Sequence, residues 1–418
     1  MLEPKELEKR RNERSKKRKT NRHKRRFMKT LTLFITIYIG YVVLVPVPAL
    51  RASLVDISLP AATNVEMPWP KYGQSAVGAV GYGQLANNGD DKPLPIASMA
   101  KVITAVAVLK AHPMQPDSKG ATITLTAKDV ATYNKYISEG QSAVAVEAGE
   151  KLTQYQALQA LLLPSANNMA DALVNWAFGS MENYLAYVNP FTKTLGMTNT
   201  HVADASGFSP QTVSTAKDMT KLAEIAMNHP IIAEIIAQPQ ADLPVAGIVY
   251  NVNNMVGTDG INGIKTGNTD EAGGCFMFAA KRNIDNSNNV TVVGVVMGAP
   301  YLAKALEDSR PLIDATFKHF KVVSPVVDGQ VVGQISQHKG VQIPAKVKKS
   351  TPIVAWAGQT LKAELTSNKL GDKISDDDAV GSLKISAGNM SYQMPIVADG
   401  NIAPRSLVWR ILHANGKF

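Results

Sequence analysis

From Thr30 to Leu50 the chain carries no charged residue: "TLTLFITIYIGYVVLVPVPAL". About 20 apolar residues are enough to cross a bilayer as a helix, so the pattern predicts one transmembrane helix over 30–51. Residues 52–70 hold Pro60, Pro68 and Pro70 and read as a spacer between membrane and domain. "QSAVGAVGYGQLANNGDDKPLPIAS" alternates small apolar residues with turn signals, which predicts a β-hairpin turning near "NNGDD". Helical periods follow from Ser98 to about Ala111, over "KLTQYQALQALLL" (151–163), and from "NNMADALVNWAFG" onward. "GGCFMFAAKR" and "NVTVVGVVMGAP", joined by the polar "NIDNSNN", read as adjacent antiparallel strands. "LAKALEDSRPLIDATFKHF" closes this region as a helix, with a bend expected at Pro311. After about residue 322 only short strands with Gly, Pro and Asp turns remain. The chain therefore reads as α+β: a basic tail (1–29), a membrane helix (30–51), a linker (52–70), a domain of helices on an antiparallel sheet (71–321) and a small all-β domain (322–418). The last stretch, "RSLVWRILHANGKF", is mildly amphipathic and is expected to pack on that β domain rather than touch the membrane surface.

Charge sharpens the first of these assignments. Of 44 Lys/Arg and 34 Asp/Glu, 14 and 4 fall in residues 1–29, so the remaining 30 basic and 30 acidic residues cancel. A neutral body argues against a nucleic-acid partner, which requires a basic face on the folded domain. The basic flank before the span, against Arg51 alone after it, predicts the N-terminus inside. A cleaved signal peptide is the alternative, with a site in "VPVPAL", but its apolar region runs only about 7–15 residues; a retained signal anchor is the better fit. The domains beyond it then lie outside the cytoplasm. The single cysteine, Cys275, excludes an internal disulfide and reads as a small buried hydrophobe on a strand. An exported chain without disulfides suits a bacterial surface.

Within "PIASMAKVITA" Ser98 and Lys101 share one helix face, about 60° apart. An isolated S-x-x-K is ordinarily a cap and a solvated lysine. Here Lys110 lies nine positions on, about 180° around the helix, so both lysines cannot share a solvated face. Lys101 is expected to be buried beside Ser98. Burial lowers a lysine's pKa, and a serine beside a neutral amine is an activated nucleophile. Ser165 and Asn167 follow a proline in the turn between two apolar helices, where they could cap or face a cleft. Lys265, Thr266 and Gly267 precede the strand pair. Ile264 stands where a P-loop needs glycine, which excludes that reading. The seven histidines, His23, His112, His201, His229, His319, His338 and His413, show no metal-ligand spacing.

The order S-x-x-K, then S-x-N 67 residues later, then K-T-G 100 residues beyond is that of penicillin-binding proteins and class A β-lactamases. With "EAGEKLTQYQALQALLLPSANNMADAL", "LGMTNTHVADASGFSP", "STAKDMTKLAEIAM" and "GINGIKTGNTDEAGGCFMFAA", the chain over about 72–320 resembles the D-alanyl-D-alanine carboxypeptidases, the low-molecular-mass penicillin-binding proteins. The resemblance implies a β-lactamase/transpeptidase-like domain followed by a small β domain. It implies Ser98 as nucleophile, Lys101 as base and Ser165 as proton relay. Asn167 would bind substrate backbone and Lys101, Lys265 and Thr266 the terminal carboxylate. Gly267 would admit substrate against an edge strand, and Asn268 with Ser98 would form the oxyanion hole. Implied partners are peptidoglycan pentapeptide stems and, as acylating inhibitors, β-lactams; no metal or cofactor is needed. A β-lactamase or D,D-endopeptidase on the same scaffold, or an inactive wall-binding protein, remain the alternatives. "DASGF" occupies the region where the deacylating glutamate of a β-lactamase would be sought.

Overall fold

The computed structural model describes residues 4–44, 49–337 and 340–413. His338 and part of "VPVPAL" lie outside them. Helix α1 (Pro4–Leu44) contains the one helix stretch, among the described residues, long and apolar enough to cross a membrane. It ends short of the predicted span. Leu50 and Arg51, counted in that span, belong instead to the C-terminal sheet: Leu50 is buried in its core and Arg51 opens a strand.

At the centre stands a five-stranded antiparallel sheet in the order Ile261–Thr269, Gly273–Asn283, Asn289–Ala299, Gln74–Ala79, Gly83–Asn88. Its two long middle strands are apolar over 274–280 and 292–297 because both faces are covered there. Cys275, Met277 and Ala279 point into one cluster with Val293, Val295 and Met297. Phe276, Phe278 and Ala280 point into the other with Val292 and Val296. The first face carries α2 (Ala100–Ala111), α3 (Ala127–Ser138), α4 (Gln154–Leu162), α5 (Asn167–Phe178), α6 (Met181–Thr194), α7 (Ala216–Asn228) and α8 (Pro230–Ile236). The second carries α9 (Leu302–Lys318), which runs on through Pro311. Helix α2 is buried from Ala100 to Leu109, as a helix apolar on nearly all sides must be.

The hairpin predicted near the chain start exists, but its turn is at Val80–Tyr82, not at "NNGDD". Gly81 and Gly83 take positive φ there, 83° and 72°, a conformation glycine adopts without steric cost.

The C-terminal sheet has six strands in the order Arg51–Leu54, Val331–Ser336, Gln342–Val347, Met390–Ala398, Ala379–Ala387, Leu361–Ser367. Its first strand comes from the segment read as a free spacer. Leu50 N donates to Gly371 O at 3.0 Å, Val55 N to Val332 O at 2.8 Å and Thr63 N to Ala357 O at 2.8 Å. Ala52, Leu54, Ile57, Leu59 and Trp69 pack on the same core. The apolar alternation of 50–69 thus outweighs its prolines. Tyr82 ties the central hairpin to a separate two-stranded sheet, Phe320–Val323 with Ile353–Trp356: its ring meets Phe320 edge-on at 5.1 Å, and its hydroxyl donates to Val354 O at 3.2 Å.

The chain end departs from expectation. Helix α10 (Leu407–His413) has no buried residue and lies against α1, where Tyr38 Oη donates to Ile411 O at 2.9 Å.

Candidate active site

Ser98 sits in a single 3₁₀ turn, Ala97–Met99, that feeds directly into α2. Ala97 has φ 45°, the left-handed region that costs a residue with a Cβ about 1–2 kcal/mol. Neither Ile96 nor Met99, the caps of the turn and of α2, makes a side-chain capping bond. Ser98, half-buried, is not the helix cap. Its Oγ accepts instead from Lys101 Nζ at 2.9 Å.

Lys101 is 0 % exposed, while Lys110 on the opposite side is exposed. Lys101 Nζ donates a second bond to Ser206 O at 3.0 Å. Burial holds the Lys101 pKa well below the ordinary lysine value, and the charge of Lys265 lowers it further; Asp204 and Asp171 pull the other way. Desolvation wins because no carboxylate bonds the ammonium directly.

The Ser206 carbonyl is placed by a loop that the sequence motifs did not mark. Asp204 accepts from Ser206 N at 3.1 Å, Ser206 Oγ at 2.7 Å, Phe208 N at 3.0 Å and Thr212 Oγ1 at 2.5 Å. Thr104, one turn beyond Lys101, donates to Ala205 O at 2.7 Å. Gly207, at φ 77°, presses on the nucleophile turn: a Cβ there would lie 1.9 Å from Ala97 O. Among sequence signals, only the "DASG" string hinted at such a turn.

Lys265, Thr266, Gly267 and Asn268 lie on Ile261–Thr269, an edge strand of the central sheet. Lys265 is 1 % exposed and donates to Thr266 O at 3.0 Å. Burial alone brings its pKa down to about 7. Thr266 is buried and Asn268 exposed. The close approach at Gly267 is to protein rather than to open space. A Cβ there would stand 2.9 Å from Ala97 Cβ and 3.1 Å from Ser98 N. This glycine lets the strand touch the nucleophile turn.

Ser165 and Asn167 stand at the start of α5, which packs on α2. Ser165 is buried with φ 64°, strain of the kind that gathers at functional sites. Asn167 is buried, and its Nδ2 donates to Gln141 Oε1 at 2.6 Å. The expected bond between Asn167 and Lys101 is not made; Lys101 has Ser98 and Ser206 as its partners. Cys275 is buried, which pushes its thiol up to about 11 and leaves it unreactive. Among the described residues no group of His, Cys, Asp or Glu is arranged to hold a metal ion.

A serine hydroxyl against a buried lysine amine, with a second buried lysine on the adjoining edge strand, defines a serine acyl-transferase of the S-x-x-K class. Residues 81–301 match the family model of peptidase S11, D-alanyl-D-alanine carboxypeptidase, and the chain belongs to that family. The D-alanyl-D-alanine carboxypeptidase DacC of Escherichia coli is 25% identical over 339 residues, 78% of this chain and 83% of that protein. A D-alanyl-D-alanine endopeptidase of the same organism is 27% identical over 241 residues, 56% of this chain and 74% of that protein. The crystal structure of the carboxypeptidase DacD from Francisella tularensis superposes with a TM-score of 0.55 at 21% identity, covering 85% of this chain and 98% of that one. The fold is that of the D,D-peptidases with a following β domain. The chain is a serine D-Ala-D-Ala carboxypeptidase, a hydrolase whose substrate class is the peptidoglycan stem peptide and which binds β-lactams.

Proposed function

We propose that Ser98 is the nucleophile and Lys101 its base. The observation that carries this is the 2.9 Å contact between Ser98 Oγ and the amine of a fully buried lysine. Along it, neutral Lys101 takes the hydroxyl proton as Oγ attacks the carbonyl carbon of the penultimate D-alanine. The tetrahedral adduct collapses, the amide C–N bond breaks, and the proton passes by way of Ser165 to the leaving D-alanine amine. Water then hydrolyses the Ser98 ester, with Lys101 again accepting the proton. Lys265 and Thr266 bind the terminal carboxylate, as a cation with a hydroxyl donor beside it suits. The backbone N–H groups of Ser98 and Asn268 form the oxyanion hole; the 3.1 Å between Ser98 N and the Cβ position of Gly267 supports their nearness. Asn167 binds the peptide backbone.

The test is a mass measurement after incubation with penicillin, the adduct being mapped to the peptide that holds Ser98. Ser98→Ala is expected to abolish it, and persistent labelling would sink the assignment. Endopeptidase activity is the second reading, favoured by the similarity to the endopeptidase relative. Release of free D-alanine from a pentapeptide, without cleavage of cross-linked dimers, favours carboxypeptidase alone.

We further propose a single-pass protein of a bacterial cell membrane, with residues 1–29 in the cytoplasm and the catalytic domain (71–321) and β domain (322–418) outside. The uncharged stretch of α1 and the basic residues before it support this. Protease added to intact cells is expected to remove the catalytic domain and spare the basic tail.

A further inference from the structure

Two carboxamides stand in series behind the start of α5. Asn167 Nδ2 donates to Gln141 Oε1 at 2.6 Å, and Gln141 Nε2 donates to Glu139 Oε2 at 2.7 Å. A carboxamide can turn over and exchange its two ends with little change of shape. An ionised carboxylate has no such freedom, since it only accepts. Glu139 therefore sets the direction of the whole row. Gln141 must turn its NH₂ to the carboxylate, which leaves Oε1 for its other neighbour. Asn167 must answer with its own NH₂. Its Oδ1 is then the end left over, and it takes no hydrogen bond among the described residues. The backbone around the row is held as well: Asn167 N donates to Ser142 O at 2.8 Å. The Asn168 side chain grips Val144, accepting from its N at 3.1 Å and donating to its O at 2.9 Å. Glu139 is exposed, Gln141 half-buried and Asn167 buried, so the row runs from solvent into the protein.

We propose that Glu139 and Gln141 are positioning residues for acylation: they fix the carboxamide of Asn167 so that Oδ1 is offered to the site as an acceptor for an N–H, from Lys101 or from the bound peptide. This rests on the reading of Asn167 as a site residue. The prediction is about polarity, so the test exchanges acceptor for donor at one position. In a Glu139→Ala background, Gln141→Glu is acceptor-only and holds Asn167 as it stands. Gln141→Lys is donor-only and obliges Asn167 to turn over. Acylation by a fluorescent penicillin is expected within about twofold of wild type for the Glu variant and about tenfold slower for the Lys variant, the scale of one lost hydrogen bond. Gln141→Leu, with no polar end, is expected between them and serves if the Lys variant does not fold. Equal rates for Glu and Lys, or a faster Lys variant, overturn the relay. Asn167→Ala separates the two levels of the claim: if it leaves acylation unchanged, the role of Asn167 falls and the relay with it.

Discussion

Two buried lysines divide the chemistry at this site. In the roles proposed for them, Lys101 has to be neutral to accept a proton, whereas Lys265 has to be charged to hold a carboxylate. Both are desolvated, and the charge of Lys265 further disfavours a charge on Lys101. Burial and the neighbouring charge of Lys265 both push Lys101 towards its neutral form, while below about pH 7 Lys265 keeps its proton. The free enzyme is expected to lose kcat/KM as pH rises through about 7, because the cation that binds the substrate's end disappears. A bound carboxylate raises the Lys265 pKa, so the same limb should lie at higher pH in kcat. Coincident limbs would count against the assignment. Stability carries the same signature with its own sign. The unfolded chain holds a proton on Lys265 up to about pH 10.4, whereas the folded one releases it near pH 7. Between these values the unfolded state binds more protons, so this group's contribution to stability rises with pH. Lys265→Met removes a buried charge. It should melt above wild type at pH 6, with the gap narrowing as pH rises towards 10, while losing its grip on substrate. A constant gap would show that folding does not lower the Lys265 pKa, so that the folded enzyme and the unfolded chain hold this proton alike.

At the scale of elements the site is a junction of three backbones: the turn 97–99, the loop 204–207 and the strand Ile261–Thr269. They meet with nothing larger than an alanine methyl between them, at Gly207 against Ala97 O and at Gly267 against Ala97 Cβ and Ser98 N. Adding one methyl at Gly267 must push the strand away by some tenths of an ångström. Because misplacement of about 1 Å can cost about 100-fold, Gly267→Ala is expected to slow penicillin acylation by at least about tenfold. Circular dichroism and the melting curve should change little. A variant that acylates at the wild-type rate would refute the tight junction. This scale also shows where the sequence was legible. The burial of Lys101 could be read from the position of Lys110, and the strand over 273–283 from its β-prone apolar stretch before Lys281. The carbonyl of Ser206 could not, since every residue offers a carbonyl and only the fold aims one. Asp204 likewise is an ordinary turn aspartate until its four bonds are seen. The hairpin turn was misplaced for another reason. "NNGDD" is the stronger generic turn signal, but Gly81 and Gly83 flank a tighter turn, and Tyr82 between them is buried against Phe320. Tertiary burial of one aromatic outweighed local turn chemistry.

Across the whole molecule, the segment leaving α1 is bound to the C-terminal sheet rather than to the catalytic sheet. Arg51–Leu54 pairs antiparallel with Val331–Ser336, and Leu50 is buried in the core beneath. The strand covers an edge that would otherwise expose unpaired backbone groups. At the opposite edge, Leu361–Ser367 keeps Lys362 and Glu364 exposed, a charged edge of the kind that discourages further pairing. The consequence is mechanical. A free spacer would let the catalytic domain swing on a chain of about 19 residues, at distances that grow with the square root of the spacer's length. A strand in the sheet removes most of that freedom, so 51–54 moves with the C-terminal β sheet rather than as a free linker. Hydrogen exchange distinguishes the two descriptions. Amides that donate within the sheet, such as Val55 N to Val332 O, and the docked Thr63 N to Ala357 O, should exchange far more slowly than an unstructured peptide. Ser53→Pro, two residues before Val55 and so on the hydrogen-bonding side of the strand opposite Gln334, removes a ladder donor and should release that protection over 51–55. It should leave penicillin acylation by the purified enzyme unchanged, because the catalytic junction lies in the other sheet. Peptide-like exchange over 51–63 in the wild-type protein would restore the spacer.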